Sequence, residues 1–256
     1  MGNKTKLLAI LMLFSRSLYA QEITFDKSAD LKQTYGKSAE AETLLPMNDL
    51  NIESGYILYE TEIETSTENE KLSIENVRDY ATVYVDGKFQ GLLKDGKKTI
   101  TLPVTPGKHL LQLYLENIGR ITYGPEITEN SKGLFGEVTL AGNDVSNWKM
   151  TVLNIKKNPI QGLTFIARTA AETPAFYQGN FVLNKIQNVY LDISGWGMGE
   201  VWLNNTYLGA YWEEEKQQSI LIPEHMLSEG QNEVVIFELK NNHQKTMKLS
   251  QTPVFK

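Results

Sequence analysis

The chain has 256 residues, 41% of them hydrophobic and 22% charged, with a formal net charge of −6 and no cysteine. That composition belongs to a globular chain with substantial buried cores, and the missing cysteine excludes disulfide staples and thiolate metal sites. The longest apolar run, Leu7 to Phe14, falls well short of the roughly 20 residues that cross a hydrocarbon core, so no membrane span is expected.

Lys4 and Lys6 precede that run and Ser15 to Ala20 follow it, the charged, apolar and small-residue order of a secretory signal peptide. Residues 1–20 are therefore read as a leader, cut after Ala20. Its loss removes three of the 25 basic residues and no acidic one, leaving 22 against 31 and a formal charge of −9. Such a chain repels phosphate backbones. Its charges are interspersed, and neither zinc-finger spacing nor an RNA-binding aromatic motif is present, so nucleic acid is not an expected partner. Export to a bacterial periplasm or cell surface is the expected location.

Residues 21–50 are polar and rich in Ala, Glu and Lys, and they read as a lead-in segment with a weakly helical stretch around Ser38 to Leu45. From Tyr56 the pattern changes to short runs of Val, Ile, Leu, Tyr and Thr between Asp-Gly and Pro-Gly turns, which predicts an all-β fold. Asp86-Gly87 sits inside the alternating run Val83 to Phe89, as a two-residue hairpin requires. Thr99 to Pro103 and the alternation of Leu111, Leu113 and Leu115 with Gln112, Tyr114 and Glu116 predict further strands with one buried face. A strand over Met150 to Ile155 closes this first β-sandwich, 51–158, before the polar stretch Lys156 to Pro159.

The second β-sandwich, 159–256, repeats the first. Val83 to Gly91 aligns without gaps on Val201 to Gly209, an offset of 118 residues, and Pro106-Gly107 with the strand to Glu116 corresponds to Glu229-Gly230 with Val234 to Glu238. A recurring unit of this length marks duplicated domains. Only Glu224 to Leu227 asks for a helical turn.

Conventional catalytic parts are few. His109, His225 and His243 have no metal-ligand spacing and read as solvated or packing residues. Glu116, Glu137, Glu200 and Glu238 lie beside apolar strands, where they read as solvated strand faces or strand ends with no motif joining them into a glycosidase pair. Glu213 to Glu215 reads as a solvated loop. Aromatic rings say more: Trp148, Trp196, Trp202, Tyr207, Tyr211 and Trp212 cluster in or near turns, and a flat ring on a rigid scaffold can stack on a sugar. Trp202 and Tyr207 alternate within a hairpin and are expected inside or between sheets. Trp196, Tyr211 and Trp212 lie beside glycines and are expected to be partly exposed.

These residues resemble the C-terminal β-domains of the family 35 glycoside hydrolases, the β-galactosidases. In the second domain the resemblance rests on Pro174 to Phe181, Leu191 to Gly199, Val201 to Asn204 and Leu208 to Trp212; in the first, on Gly55 to Tyr59, Asp79 to Ala81, Val85 to Gly87, Leu115 to Gly124 and Lys132 to Leu134. It implies two consecutive jelly-roll sandwiches of the galactose-binding-domain type. Family members carry a catalytic (β/α)8 barrel ahead of these domains, and a barrel takes about 250 residues, which residues 21–50 cannot supply. The motifs around the family's two catalytic glutamates are also missing, so no catalytic residue carries over. Asn204-Asn205 replaces the usual Asn-Gly turn, and Ala210 stands where the family places an arginine.

The expectation is thus an exported, non-catalytic carbohydrate-binding or accessory protein whose partner is a galactose-containing glycan. Candidate sugar contacts are Trp196, Tyr211 and Trp212, with Arg120 and Tyr123 from the resembling stretch of the first domain. No metal ligand and no cofactor is expected, and a structural calcium is not legible in the sequence. One alternative is a β-galactosidase component that needs a separately encoded barrel. Another is a structural surface protein without glycan preference, which would bury Trp196 and Trp212 completely.

Overall fold

The computed structural model describes residues 21–119, 124–128, 130–155, 160–169, 173–240 and 242–256. The first eleven strands in chain order are β1 (Gln21–Asp30), β2 (Tyr35–Ala41), β3 (Gly55–Thr65), β4 (Glu70–Arg78), β5 (Tyr80–Val85), β6 (Lys88–Lys94), β7 (Thr99–Leu102), β8 (Gly107–Asn117), β9 (Gly133–Leu140), β10 (Asn143–Asp144) and β11 (Trp148–Leu153). Eight follow: β12 (Ile166–Ala167), β13 (Ala175–Leu183), β14 (Val189–Asp192), β15 (Met198–Leu203), β16 (Thr206–Trp212), β17 (Ser219–Ile222), β18 (Gly230–Glu238) and β19 (Thr246–Ser250). The expected helical turn is a 3-10 turn over Glu224–Met226. No helix among the described residues is long and apolar enough to cross a membrane.

The first sandwich stacks a six-stranded sheet, in the order β2-β11-β3-β8-β5-β6, on a four-stranded sheet, β10-β9-β4-β7. The second is built on the path β16-β15-β18-β13-β1-β19-β14-β17. Its two layers share β1. Gln21 to Thr24 pair with β19, while Phe25 to Asp30 pair with β13 after a register shift between Phe25 and Lys27. A bulged strand can turn such a corner and serve both sheets of a sandwich.

The two sandwiches pack face to face. Along β5 every residue is buried, and alternate side chains point to opposite faces: Ala81, Val83 and Val85 enter the core of the first sandwich, whereas Tyr80 and Tyr84 enter a separate cluster. β15 behaves likewise, with Val201 and Leu203 in the core of the second sandwich and Met198 and Trp202 in that same cluster. Among the described residues the layers therefore enclose three apolar cores, the middle one joining Tyr56, Leu58 and Tyr84 to Phe176, Trp202 and Phe237. Tyr84 also donates its hydroxyl hydrogen to the carbonyl of Leu239 at 2.9 Å.

Residues 21–50 are not a lead-in. β1 is a central strand of the second sandwich, and β2 pairs with β11 in the first. The bulge changes the phase of the alternation in β1, with Ile23 and Phe25 buried and then Ser28 and Ala29, so no continuous period of two is visible. The weakly helical stretch starting at Ser38 is extended because Ser38 to Ala41 pair with Trp148 to Thr151, and pairing overrides weak propensity. The leader residues and the stretch Lys156 to Pro159 lie outside the described residues.

Candidate functional site

The duplicated hairpins form the edges of the two facing sheets. Asp86 and Gly87 take φ of 51° and 75°, and Asn204 and Asn205 take 48° and 65°, the left-handed pairs that a type I′ turn demands. Asparagine tolerates that region better than most residues, so the second hairpin closes without glycine. A register shift falls between Val83 and Tyr84 in one copy and between Val201 and Trp202 in the other. The extra residue lies in the second strand of each hairpin, Gln90 or Leu208, while regular alternation in β5 and β15 points Tyr84 and Trp202 into the middle core; the ring two positions past each turn, Phe89 or Tyr207, packs edge-on against them at 5.5 and 5.8 Å.

Tyr207 differs from its counterpart in carrying a hydroxyl, which donates to Oε2 of Glu200 at 2.6 Å. Oε1 of the same carboxylate accepts the Tyr56 hydroxyl at 2.9 Å, so this glutamate of the second sandwich is bonded to a tyrosine of the first. Glu200 is 0% and Glu116 4% exposed, and both act on Tyr56: burial first, then these two carboxylates, hold its phenol far above the ordinary value of 10. Tyr207 is likewise raised by burial and by its bond to Glu200. Both phenols are therefore neutral donors at physiological pH. Tyr207 remains 49% exposed, an open aromatic face whose tilt is set by a buried acceptor. Tyr56 in turn forms part of the wall of a groove of about 940 Å³ that is also lined by Lys37, Asn48, Glu53 and Asn154.

The expected solvated glutamates are thus corrected for three of four. Glu116 and Glu200 lie between the facing sheets, and Glu238 is fully buried, accepting from the backbone N–H groups of Gly197, Met198 and Lys240 and from the Tyr211 hydroxyl. Hydrogen bonds of this kind offset the cost of burying a polar group in a core. These carboxylates face neighbouring side chains and not a cleft that could take a glycosidic bond. Glu137 alone is on the surface.

The expected sugar contacts fare differently. Trp196 is wholly buried, donates its indole N–H to the carbonyl of Thr246 at 2.8 Å, and packs on Phe25 and Tyr177. Tyr211 is buried on Glu238. For Tyr211 close packing is marked by the glycine opposite it in the ladder: a side chain at Gly199 would run into the carbonyl of Phe237 at 1.8 Å and the Tyr211 hydroxyl at 3.0 Å. Trp212 is half-buried at the domain junction, edge-on to Tyr80 at 5.7 Å. Arg120 and Tyr123 lie outside the described residues. Conversely Tyr207, expected inside or between sheets, is exposed. The repeat held a signal for this, since Phe89 and Tyr207, each paired with the core ring opposite at the edge of its sheet, are both exposed.

Comparison with known families places this geometry. Residues 45–154 match the first all-β domain of β-galactosidases, and residues 174–232 match the β-galactosidase galactose-binding domain. Relatives include β-galactosidase-1-like protein 2 of Homo sapiens, 33% identical over 200 residues, covering 76% of this chain and 31% of the relative. The β-galactosidase of Xanthomonas manihotis is 31% identical, covering 77% of this chain and 33% of its own length. That of Canis lupus familiaris is also 31% identical, covering 78% and 34%. The chain thus spans about a third of the length of these curated relatives. Its two sandwiches are those of the non-catalytic, all-β part of the β-galactosidases, and it is with these domains that the chain belongs.

Proposed function

We propose that the chain is an exported, non-catalytic carbohydrate-binding accessory protein whose ligand is a galactose-containing glycan. The observation that carries the reading is Tyr207: an exposed ring, fixed by a buried carboxylate, on a sandwich matching a galactose-binding domain. A ring held in this way meets the apolar face of a pyranose without losing side-chain freedom on binding. The charged, apolar and small-residue order of residues 1–20 supports export. Titration of tryptophan fluorescence with galactose and galactan oligosaccharides tests it, because Trp202 lies 5.8 Å from Tyr207 and reports on it. A saturable change is expected, lost in Tyr207→Ala and kept but shifted to higher sugar concentration in Tyr207→Phe, which retains the ring and loses the bond that fixes it. A flat titration overturns sugar binding, and turnover of a chromogenic β-galactoside overturns the non-catalytic assignment.

A second reading rests on the coverage of the relatives: a chain spanning a third of a β-galactosidase completes such an enzyme by associating with a catalytic barrel. Mixing the chain with a barrel-only β-galactosidase separates the readings, since a component raises that enzyme's activity or stability and a free-standing module leaves both unchanged.

A further inference from the structure

The galactose-binding match begins at residue 174 and ends at 232, yet the sandwich around it is not contiguous in sequence. Its central strand, β1, comes from the far side of the first sandwich and lies between β13 and β19, paired to both. Without it the second sandwich divides into β16-β15-β18-β13 and β19-β14-β17, each with a new open edge. Such edges are templates for an incoming strand.

The seat is shaped for this occupant. Ile23 and Phe25 are buried in the core of the second sandwich, Phe25 edge-on to Trp196 at 5.2 Å. Gly179, opposite Phe25 in the ladder, leaves the space through which β1 turns its corner: a Cβ there would stand 2.7 Å from the carbonyl oxygen of Thr24 and 2.9 Å from Ile23. The backbone N–H of Phe25 donates to Lys245, and the Arg168 guanidinium donates to the carbonyl of Phe25 at 3.3 Å. Only the 3-10 turn Leu31–Thr34, with Lys32 and Gln33 on the surface, connects the strand to β2.

We infer that β13 and β19 form a strand-acceptor groove, that the galactose-binding sandwich is a two-segment unit completed by β1, and that the groove takes an extended peptide of the β1 sequence supplied as a separate molecule. Backbone ladders on two edges provide affinity, and the pockets for residues 23 and 25 provide specificity. This holds whether or not the sandwich binds sugar.

The test uses the full chain with a specific protease site inserted between Lys32 and Gln33. After cutting, the β1 peptide is expected to co-elute with the remainder in gel filtration. After denaturation, removal of the peptide and refolding, the remainder is expected to lack the near-ultraviolet signal of packed Trp196. A synthetic peptide of residues 21–32 restores that signal saturably, and its Phe25→Asp version does not. Recovery of the uncut spectrum without peptide overturns the inference, as does failure of the wild-type peptide to restore it. A second measurement uses the uncut chain: in Gly179→Val the β1 amides exchange at least about 100-fold faster while those of β3 and β8 keep their protection. Unchanged exchange in β1 counts against the groove.

Discussion

The two hairpins show how far a duplicated element can diverge and keep one geometry. In the first, Asp86 and Leu110 exchange hydrogen bonds, N–H to carbonyl at 3.0 Å and N–H to Oδ1 at 2.9 Å. In the second, Asn204 and Glu233 do the same, both at 2.9 Å. The remaining polar atom of the turn residue differs. Oδ2 of Asp86 meets Nδ1 of His109 at 2.7 Å, whereas Nδ2 of Asn204 donates to Asn232 and to the carbonyl of Met226. The acceptor facing the next strand is required by the ladder; the chemistry behind it is free to vary. The strands diverge by the same logic: Tyr84 of one stands in the middle core where the other has Trp202, and on the opposite face Ala81 of the first corresponds to Gly199 of the second.

That pairing of copies can be tested by breaking each side in turn. The largest loss is expected for Trp202→Ala, about 3–5 kcal/mol for an aromatic ring removed from a core. Because the middle core joins both sandwiches, chemical denaturation followed by amides in each should show one shared transition moved to lower denaturant. Two transitions, with only the second displaced, would refute the joint core. Next comes Gly199→Ala, which drives a Cβ onto the Phe237 carbonyl and should cost about 3 kcal/mol, the upper end for overpacking. The reciprocal Ala81→Gly should cost only about 1 kcal/mol, so equal losses in thermal unfolding would show that the copies are not equivalent there.

Asn204→Ala removes two donated bonds and one accepted bond at a half-buried turn, and about 1–2 kcal/mol is expected from the unmet groups. The smallest effect separates the two clamps by pH. His109 is raised from 6.5 by its bond to Asp86, and Asp86 is lowered from 3.8 by its bond to His109. The histidine contribution is complete below 6.5 and fades as pH rises through the raised value. The aspartate contribution is complete above 3.8 and fades as pH falls through the lowered one. The first clamp therefore works best between those two ordinary values. Thermal midpoints compared at pH 5 and pH 8 should fall slightly at the higher pH in the wild type and less in His109→Gln, while Asn204→Ala leaves the pH dependence as it was.

Much of this was legible in the residues. Asp86-Gly87 and its alternating flanks specify a hairpin locally, because positive φ at two adjacent positions is a property of the turn itself. The second hairpin is readable through the repeat, although Asn204-Asn205 lacks the glycine. The site was less legible. Trp196, Tyr211 and Tyr207 all lie near turns with similar neighbours, and which ring meets solvent depends on the one-residue bulge at Leu208 in β16 and on the close approach of β18 at Gly199.

The sequence by itself determined the all-β class, the hairpins, the duplication and the resemblance to the β-domains of β-galactosidases, because these rest on local backbone preference and on alternation within a strand. Only the tertiary structure decided that β1 belongs to the second sandwich, that Glu116, Glu200 and Glu238 are buried, and that Tyr207 is exposed while Trp196 and Tyr211 are not. Those facts come from packing one sheet against another across more than a hundred residues of sequence. A strand buried on both faces loses the contrast between apolar and polar positions by which a single chain reveals its inward side.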